Sequence, residues 1–293
     1  MIVLSLFDGI SVGQLALKSI GLNFTYFASE IDKNAIKVTQ HHFPDTIQLG
    51  DIRNISYSNG ILKVGDKHYN LPKIDLILAG SPCTNMSSAG NREGLNGKES
   101  SLFYEFVRLL KEINPLYFLL ENVVMAKKWE NEITSLLNVE PILIDSALVS
   151  AQTRKRLYWT NINFNIPIDR KVEFSTIVNG FPAAMRGRRL LNGKRKDNDK
   201  SIPIKQYIEG KNYSKSNCLT TVNKDNVVTE IKIDRELAST VKYRYLTRNE
   251  IEQLQTLPIG YTDCISYHQA VKAIGNSWTV EIIKDILRGI SDD

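Results

Sequence analysis

The sequence contains few cysteines and no arrangement of residues typical of a metal site. Its three cysteines, Cys83, Cys218 and Cys264, are odd in number and far apart, which argues against a disulfide framework and for a reducing compartment. No two of them have the spacing of metal ligands, and the four histidines are scattered along the chain. We therefore expect no metal site.

Long apolar runs are also missing. No run approaches the roughly 18 residues that a membrane span needs. The apolar start of the chain, residues 1–7, has no basic lead and no small-residue cleavage site, and it runs directly into Asp8 and Gly9. We expect this start to be a buried strand and not a signal peptide, and we expect a cytoplasmic protein without membrane contact.

The composition is that of an ordinary globular protein. The chain has 293 residues, 42% hydrophobic and 24% charged, so it can bury one large domain with a smaller one attached. Its net charge of +5 equals that of one segment, residues 186–200, which has seven basic and two acidic residues. Such a segment favours a polyanion partner, although a solvated loop has the same composition. The basic residues singled out here are Arg186, Arg188, Arg189, Lys194, Arg195 and Lys196.

Short β-rich runs alternate with helical patterns through the first half of the chain. This alternation predicts an α/β fold with a doubly wound, mostly parallel sheet, in which ligands bind at the carboxyl ends of the strands. The predicted strands are Ile2–Phe7, Phe24–Ser29, Ile47–Gly50, Ile74–Ala79, Tyr117–Leu120, Ile142–Ala147 and Leu157–Thr160. The predicted helices include Val12–Ile20, Asp32–His41, Ser101–Ile113 and, near the end of the chain, Thr279–Leu287.

The character of the sequence changes after Asn163. Residues 164–242 are polar, basic and rich in Asn and Lys, which predicts a small second domain of strands and loops. A helical pattern returns after Arg244, where Thr247 and Glu250 have the spacing of a capping box.

Polar residues follow the first three predicted strands. Phe7–Ser11 is a glycine-bearing turn before a helix, which suits the close approach of a ligand. It is not the dinucleotide-binding pattern, because Gly9 and Gly13 are four residues apart. Glu30 stands where a carboxylate can hold a ribose diol, and Asp51 stands where an acid can accept a hydrogen bond from an adenine amine. Together they favour an adenosine-type cofactor, although any one of them alone is more commonly a capping or solvated acid.

Reactive or charged side chains stand at the ends of three later predicted strands. Cys83 follows Pro82 and opens a run rich in Ser, Gly and Asn, where a cysteine can be exposed and activated, although a lone cysteine is more often inert packing. Glu121 lies among apolar residues, and a carboxyl group in such surroundings can hold a proton near neutrality. Arg154 and Arg156, two apart on an extended segment, point the same way and can grip a carbonyl or a phosphate, unless they are surface charge.

Taken in order, these residues resemble the signature of the DNA (cytosine-5)-methyltransferases. The stretches that carry the resemblance are Phe7-Asp8-Gly9, Glu30, Asp51, Pro82-Cys83, Glu121-Asn122-Val123, Gln152-x-Arg154-x-Arg156, Arg244-x-Leu246-Thr247-x-x-Glu250-x-x-x-Leu254-Gln255-x-x-Pro258 and Gly275-Asn276-Ser277-Trp278. They span the whole chain apart from its middle part. Three stretches are similar to the animal de novo branch of the family: Leu4-Ser5-Leu6-Phe7-Asp8-Gly9-Ile10, Gly80-Ser81-Pro82-Cys83 and Ser277-Trp278.

The resemblance implies a Rossmann-like fold that binds S-adenosyl-L-methionine, with a smaller target-recognition domain. The catalytic domain would comprise residues 1–163 and 264–293, and the target-recognition domain residues 164–263. The implied reaction is methylation of carbon 5 of a cytosine that is flipped out of a specific duplex DNA sequence. Cys83 would bond to carbon 6, Glu121 would hold ring nitrogen 3 and the amine, Arg156 would contact the ring carbonyl, and Arg154 would brace the site.

The resemblance also implies which residues hold the cofactor and the DNA. The cofactor residues would be Phe7, Asp8, Gly9, Ile10, Ser11, Glu30, Ile31, Asp51, Ile52, Pro82, Asn276, Ser277 and Trp278. Ser87 and Arg92 would contact phosphates, together with the basic residues of segment 186–200. We expect a stand-alone, monomeric enzyme of bacterial or phage type, either paired with a restriction nuclease or orphan. The alternatives are an RNA cytosine methyltransferase, an inactive DNA-binding homologue, and an oxidoreductase on a dinucleotide-binding fold.

Overall fold

The computed structural model describes residues 1–82, 102–211, 214–233, 237–238 and 241–290. The chain divides into two compact units. The first unit comprises Met1–Asp145, Lys155–Pro167 and Ser277–Asp293, and the second unit comprises Ser146–Arg154 and Ile168–Asn276. Residues 264–276, predicted to be part of the catalytic domain, thus pack with the second unit, and the functional boundary between the domains stays a prediction.

The α-helices are α1 (Val12–Ser19), α2 (Lys33–His42), α3 (Leu102–Ile113), α4 (Lys127–Leu137), α5 (Arg248–Leu254), α6 (Tyr267–Asn276) and α7 (Val280–Leu287). The strands of the first unit are β1 (Ile2–Leu6), β2 (Thr25–Ser29), β3 (Ile47–Gln48), β4 (Ile55–Ser58), β5 (Ile61–Val64), β6 (Lys67–Asn70), β7 (Leu76–Ala79), β8 (Tyr117–Val123), β9 (Ile142–Asp145) and β10 (Lys155–Thr160). The strands of the second unit are β11 (Phe181–Arg188), β12 (Leu190–Leu191), β13 (Lys194–Arg195), β14 (Lys205–Gly210), β15 (Val227–Thr229), β16 (Leu237–Ala238) and β17 (Tyr243–Tyr245).

Within the described residues, the first unit is built on a sheet with the order β3-β2-β1-β7-β8-β10-β9. Its strands pair in parallel except β10, which is antiparallel to both β8 and β9. The four residues of β7 are all buried, as a strand covered on both faces requires. The predicted doubly wound, mostly parallel sheet is confirmed. The strand order reverses between β1 and β7, so the carboxyl ends of these two strands mark the crevice where such folds bind ligands.

Helix α3 shows how the sequence pattern produces the packing of the first unit. Its buried residues Phe103, Phe106, Val107 and Ile113 recur at helical spacing and form one apolar face. That face joins a core that includes Leu4, Leu6 and Trp159 of the sheet. The other predicted helices are confirmed within a residue or two at each end, and Asp32 caps α2 by accepting a hydrogen bond from the Asn34 N–H at 2.9 Å.

The sequence analysis did not predict the small antiparallel sheet β4-β5-β6. Its first turn, Asn59-Gly60, has φ angles of 51° and 75°. Both residues are left-handed, as the tight two-residue turn of a hairpin requires, so the Asn-Gly pair was the signal that could have revealed these strands. Helix α4 was missed as well.

The second unit is a sheet with the order β16-β14-β11-β15-β17 among its described strands, all pairs antiparallel, and a separate hairpin β12-β13. Its small core contains Ala183, Ile208, Val227 and Ile233. The predicted capping box at the start of α5 is confirmed: the Thr247 side chain accepts from the Glu250 N–H, and Glu250 accepts from the Thr247 N–H at 2.7 Å. In the described part of the chain, no helix has both the length and the apolar character that crossing a membrane requires.

Candidate active site

The turn between β1 and α1 has an unusual backbone. Phe7, Gly9 and Ser11 have φ angles of 58°, 59° and 55°. Two of these three left-handed residues are not glycine, which costs conformational energy and is characteristic of functional sites. A Cβ atom at Gly9 would meet no atom within 4 Å, so open space lies beside the turn. The predicted glycine turn therefore has a backbone that a ligand can approach.

Glu30 ties the end of β2 to this turn. One carboxylate oxygen accepts a hydrogen bond from the Gly9 N–H at 2.8 Å, and the other accepts from the N–H groups of Ile31 and Asp32, both at 2.8 Å. The neighbouring Ile31 side chain is 67% exposed. Glu30 is thus held rigidly, with an apolar surface beside it.

Asp8 lies under the turn and is held by two hydroxyl groups. Tyr26 donates to one of its oxygens at 2.8 Å, and Ser11 donates to the other. Burial above all, with a smaller contribution from the negative charge of Glu30, raises the pKa of Asp8 from its ordinary value to about 6, against the lowering effect of Ser11, Ser5 and Tyr26. The sequence analysis placed Asp8 in the turn but did not identify Tyr26 as its partner, because that contact joins two strands.

Asp51 is engaged by a neighbour that the sequence analysis did not mention. It caps a short 3-10 turn, Ile52–Asn54, and its side chain accepts from the backbone N–H and the Nε of Arg53, each at 3.0 Å. The hydrogen bond from Arg53 lowers the pKa of Asp51. The predicted adenine contact therefore belongs to an ionised carboxylate already paired with an exposed arginine, and Ile52 beside it is buried.

The end of β7 is packed closely against two neighbouring elements. Asn122 of β8 donates from Nδ2 to the Ser81 hydroxyl at 3.0 Å, and both side chains are buried. A Cβ atom at Gly80 would lie 2.9 Å from the indole Nε1 of Trp278, so only glycine fits there. Pro82 is the last residue described before a gap. Cys83, Ser87 and Arg92, all predicted site residues, lie outside the described residues.

Glu121 is a buried acid with a donor at each of its two carboxylate oxygens. It is 8% exposed at the end of β8. Arg156 of β10 places its Nε 2.9 Å from one carboxylate oxygen, and Trp278 donates from Nε1 to the other at 3.2 Å. The antiparallel register brings Arg156 opposite Val123, two residues beyond Glu121, within reach of the carboxylate. The structure thus brings together three predicted site residues, Glu121, Arg156 and Trp278.

Arg154 and Arg156 have different partners. Arg154 precedes β10, is 3% exposed, and belongs to the second unit. Its guanidinium donates to the carbonyl of Leu219 at 3.0 Å and to the carbonyl of Gly275 at 3.3 Å. Asn276 is exposed at the end of the second unit, whereas Ser277 and Trp278 are buried in the first unit. Arg154 therefore links the loop at Leu219 to the end of α6 within its own unit.

Acids from elsewhere in the chain lower the local net charge around the basic segment, residues 186–200. Arg186 pairs with Asp225, and Arg188 pairs with Glu209 at 2.6 Å; both acids come from outside the segment and lower its local balance from +5 to +3. Arg195 pairs with Asp197 at 3.0 Å, and Arg189 donates to backbone carbonyls. Lys194 and Lys196 are exposed, and their side chains have no ion pair with any described residue.

Over the described ranges, no three His, Cys, Asp or Glu side chains come together as a metal centre requires.

A family model for C-5 cytosine-specific DNA methylases matches residues 1–162 and 159–292 of this chain. The orphan methyltransferase M.SPRI of Bacillus phage SPR is 38% identical over 124 residues, which are 41% of this chain and 26% of that protein. The type II methyltransferase M1.ScrFI of Lactococcus lactis subsp. cremoris is 27% identical over 318 residues, covering 97% of this chain and 76% of that protein.

Solved structures of low sequence identity share the fold. A mutant of Spodoptera frugiperda DNMT2 superposes with a TM-score of 0.60 at 17% identity, covering 99% of each chain. The Entamoeba histolytica methyltransferase EhMeth gives a TM-score of 0.68 at 15% identity, covering 100% of this chain and 98% of that one. The alignment with the first two phage relatives spans only about a quarter of their length (26% and 22%). Because the family model spans nearly the whole chain, the chain belongs to the C-5 cytosine-specific DNA methylase family.

Proposed function

We propose that this protein transfers a methyl group from S-adenosyl-L-methionine to carbon 5 of cytosine in duplex DNA. The observation that carries the proposal is the Glu121 site: a buried carboxylate at a strand end, held by Arg156 at 2.9 Å. It lies in the same sheet as β7, whose end leads through Pro82 to Cys83. This combination of acid, arginine and cysteine suits the chemistry of a cytosine ring.

The residues at the ends of β1 and β2 fit the proposed cofactor. The open space beside Gly9 admits a ligand close to the backbone, and the exposed Ile31 offers an apolar surface for an adenine ring. Glu30 is fixed by three backbone N–H groups and retains acceptor capacity for ribose hydroxyls. Phe7, Asp51 and Trp278 would complete the pocket. When bound, the cofactor supplies an electrophilic methyl group on a sulfonium.

The protein's own groups would activate the ring. As a thiolate, Cys83 forms a bond from its sulfur to carbon 6, which makes carbon 5 nucleophilic. Glu121 holds ring nitrogen 3 and the exocyclic amine and shares a proton there, so that negative charge does not build up on the ring. Arg156 contacts the ring carbonyl. After methylation the carbon 5 proton leaves to a solvent base, the double bond reforms, and the bond to the Cys83 sulfur breaks.

The base must leave the helix for this chemistry, because its reacting carbons are inaccessible within the stack. We propose that Ser87 and Arg92 contact the backbone around the flipped base. Residues 164–263, most of which belong to the second unit, would be the target-recognition domain. Its exposed Lys194 and Lys196 are the best candidates for phosphate contacts, since the arginines Arg186, Arg188 and Arg195 are already paired with acids.

The relatives suggest two biological settings. M.SPRI is named an orphan methyltransferase, whereas M1.ScrFI is named a type II methyltransferase, a name associated with restriction systems. We propose that the protein modifies DNA in the cytoplasm of a bacterial cell, either as the partner of a restriction nuclease or alone.

Transfer of tritiated methyl from S-adenosyl-L-methionine tests the proposal. Unmethylated duplex DNA is the substrate, and Cys83→Ser protein and an RNA substrate are run in parallel. We expect label on carbon 5 of DNA cytosine and none with the variant. Absence of transfer by the wild type, or equal transfer by the variant, would refute the proposed mechanism, and label on RNA alone would replace the DNA substrate with RNA.

A further inference from the structure

Trp278 contacts three strand and helix ends that have separate roles in the proposed reaction. Its Nε1 donates to Glu121 at 3.2 Å. The same ring lies over Gly80, where a Cβ atom would be 2.9 Å from Nε1 and 3.2 Å from both Cε2 and Cζ2. At its far edge it lies beside Gly13, where a Cβ atom would be 3.5 Å from Cζ3. Gly80 thus leaves room for the indole, whereas at Gly13 the tightest neighbours are Leu78 and the Tyr26 hydroxyl and the indole is in ordinary van der Waals contact.

These contacts place one rigid ring between two halves of the site. Gly13 is in the first turn of α1, directly after the Phe7–Ser11 turn proposed to hold the cofactor. Gly80 precedes Ser81 and Pro82 at the end of β7. Glu121, at the end of β8, is proposed to hold the target base. An indole has only two side-chain torsions, so a shift at one contact must move the other contacts with it.

The Trp278 N–H also completes the hydrogen bonding of Glu121. Arg156 holds one carboxylate oxygen and Trp278 the other, so the plane of the carboxylate is fixed by two donors on different elements. A buried carboxylate with one donor would be free to rotate about its terminal torsion, which is broad for this group. Orientation of a catalytic group within a few tenths of an ångström governs its efficiency.

We propose that Trp278 is a positioning residue that orients Glu121 and couples it mechanically to the cofactor-binding turn. This inference rests on the proposed function, because it assigns Glu121 to the target base. It adds to that function a physical link between the two pockets, carried by one indole N–H and one packed ring.

Two substitutions of Trp278 separate the contribution of the indole N–H from that of the packed ring. Trp278→Phe keeps an aromatic ring beside Gly13 and Gly80 but has no N–H, whereas Trp278→Ala removes both. We expect Trp278→Phe to lower kcat by about 10- to 100-fold, the range for a hydrogen bond to a charged group, with the KM for S-adenosyl-L-methionine within about threefold of wild type. We expect Trp278→Ala to raise that KM as well. Trp129→Phe, on α4, is the matched control and should behave as wild type.

Binding of S-adenosyl-L-homocysteine, titrated by calorimetry, gives a readout that needs no turnover. Trp278→Phe should bind it as the wild type does, which also shows that the variant is folded. Should the variant fail to fold, Gly80→Ala replaces it: the added Cβ would lie 2.9 Å from the indole Nε1, and we expect the ring to shift away from Glu121 while the tryptophan remains. We expect the same fall in kcat.

Three outcomes overturn the proposal. The first is a kcat of Trp278→Phe equal to that of the wild type. The second is a raised KM with unchanged kcat, which would make Trp278 a cofactor contact alone. The third is an unchanged kcat in Gly80→Ala when Trp278→Phe is unfolded. A wild type that binds S-adenosyl-L-homocysteine but transfers no methyl group refutes the proposed function and this inference with it, and that failure appears in the wild-type assay alone.

Discussion

The Glu121 site of the first unit and the basic segment of the second unit hold their charged groups in opposite ways. In the first unit, Glu121 and Arg156 have side chains only 11% and 14% exposed, and each carboxylate oxygen has its own donor. In the basic segment of the second unit, Arg195 and Asp197 form a pair with 52% and 37% exposed side chains. A buried charge needs every one of its partners, because losing one leaves an uncompensated charge in a poor solvent. An exposed pair is screened by water and contributes little.

From this difference we expect substitutions at the Glu121 site to change the rate of the reaction and substitutions in the basic segment to change DNA binding. The basic segment, with its exposed Lys194 and Lys196, is suited to contacts that form and break. The Glu121 site is suited to one fixed arrangement.

The largest effect should follow a change in the buried acid. Glu121→Gln keeps the shape but cannot carry the proton that the ring requires, so we expect kcat to fall by about 10²- to 10⁴-fold in the methyl-transfer assay. Glu132→Gln, an exposed acid bonded to the Tyr104 hydroxyl, is the control and should retain activity. A Glu121→Gln protein within about threefold of wild type would show that this carboxylate is structural and not catalytic.

The pH dependence of the free energy of unfolding should show the raised pKa of Asp8. Its folded pKa of about 6 lies above the ordinary value of 3.8, so the folded state binds the extra proton between these values. Stability therefore falls as pH rises from about 4 to about 6, by up to roughly 2–3 kcal/mol, and the full penalty remains above pH 6. Thermal melts of wild type and Asp8→Asn between pH 4.5 and 7.5 measure it. Parallel curves for the two proteins would contradict the shift.

The buried Arg154 should contribute more to stability than a half-exposed arginine. Arg154→Met leaves the carbonyls of Leu219 and Gly275 without their donor, and we expect the free energy of unfolding to fall by about 1–3 kcal/mol. Arg186→Met, which breaks the part-exposed pair with Asp225, should cost less than about 1 kcal/mol. Urea unfolding compares the two variants, and equal losses of unfolding free energy would contradict the expected difference between a buried and a partly exposed arginine.

The smallest effect on the folded protein should come from the exposed lysines. Lys194→Gln combined with Lys196→Gln should leave stability unchanged within about 0.5 kcal/mol. If both lysines contact phosphates, the slope of log K against log salt for DNA binding should become shallower by about 2. Fluorescence anisotropy at several salt concentrations measures the slope. An unchanged slope would show that Lys194 and Lys196 do not contact DNA phosphates.

Most of the fold of the first unit was predictable because its signals are local. The sequence shows its buried strands as apolar runs, α3 as an apolar stripe and Asp32 as a helix cap, and in the second unit it shows Thr247 as a cap in the same way. The hairpin at Asn59-Gly60 has an equally local signal, the Asn-Gly pair of a tight turn, so these strands were also predictable from the sequence. The roles of the predicted catalytic residues stay predictions that the experiments above test.

By itself, the sequence determined the order of motifs and the elements that carry them, because periodicity, capping and turn chemistry depend on neighbours in the chain. Only the tertiary structure could show that Trp278 bonds to Glu121, 157 residues away, or that Tyr26 holds Asp8. Only the structure, too, shows that Glu209 and Asp225 neutralise part of the basic segment. These contacts join residues that lie far apart in the sequence, and their geometry is set by strand order and register, which no local pattern encodes.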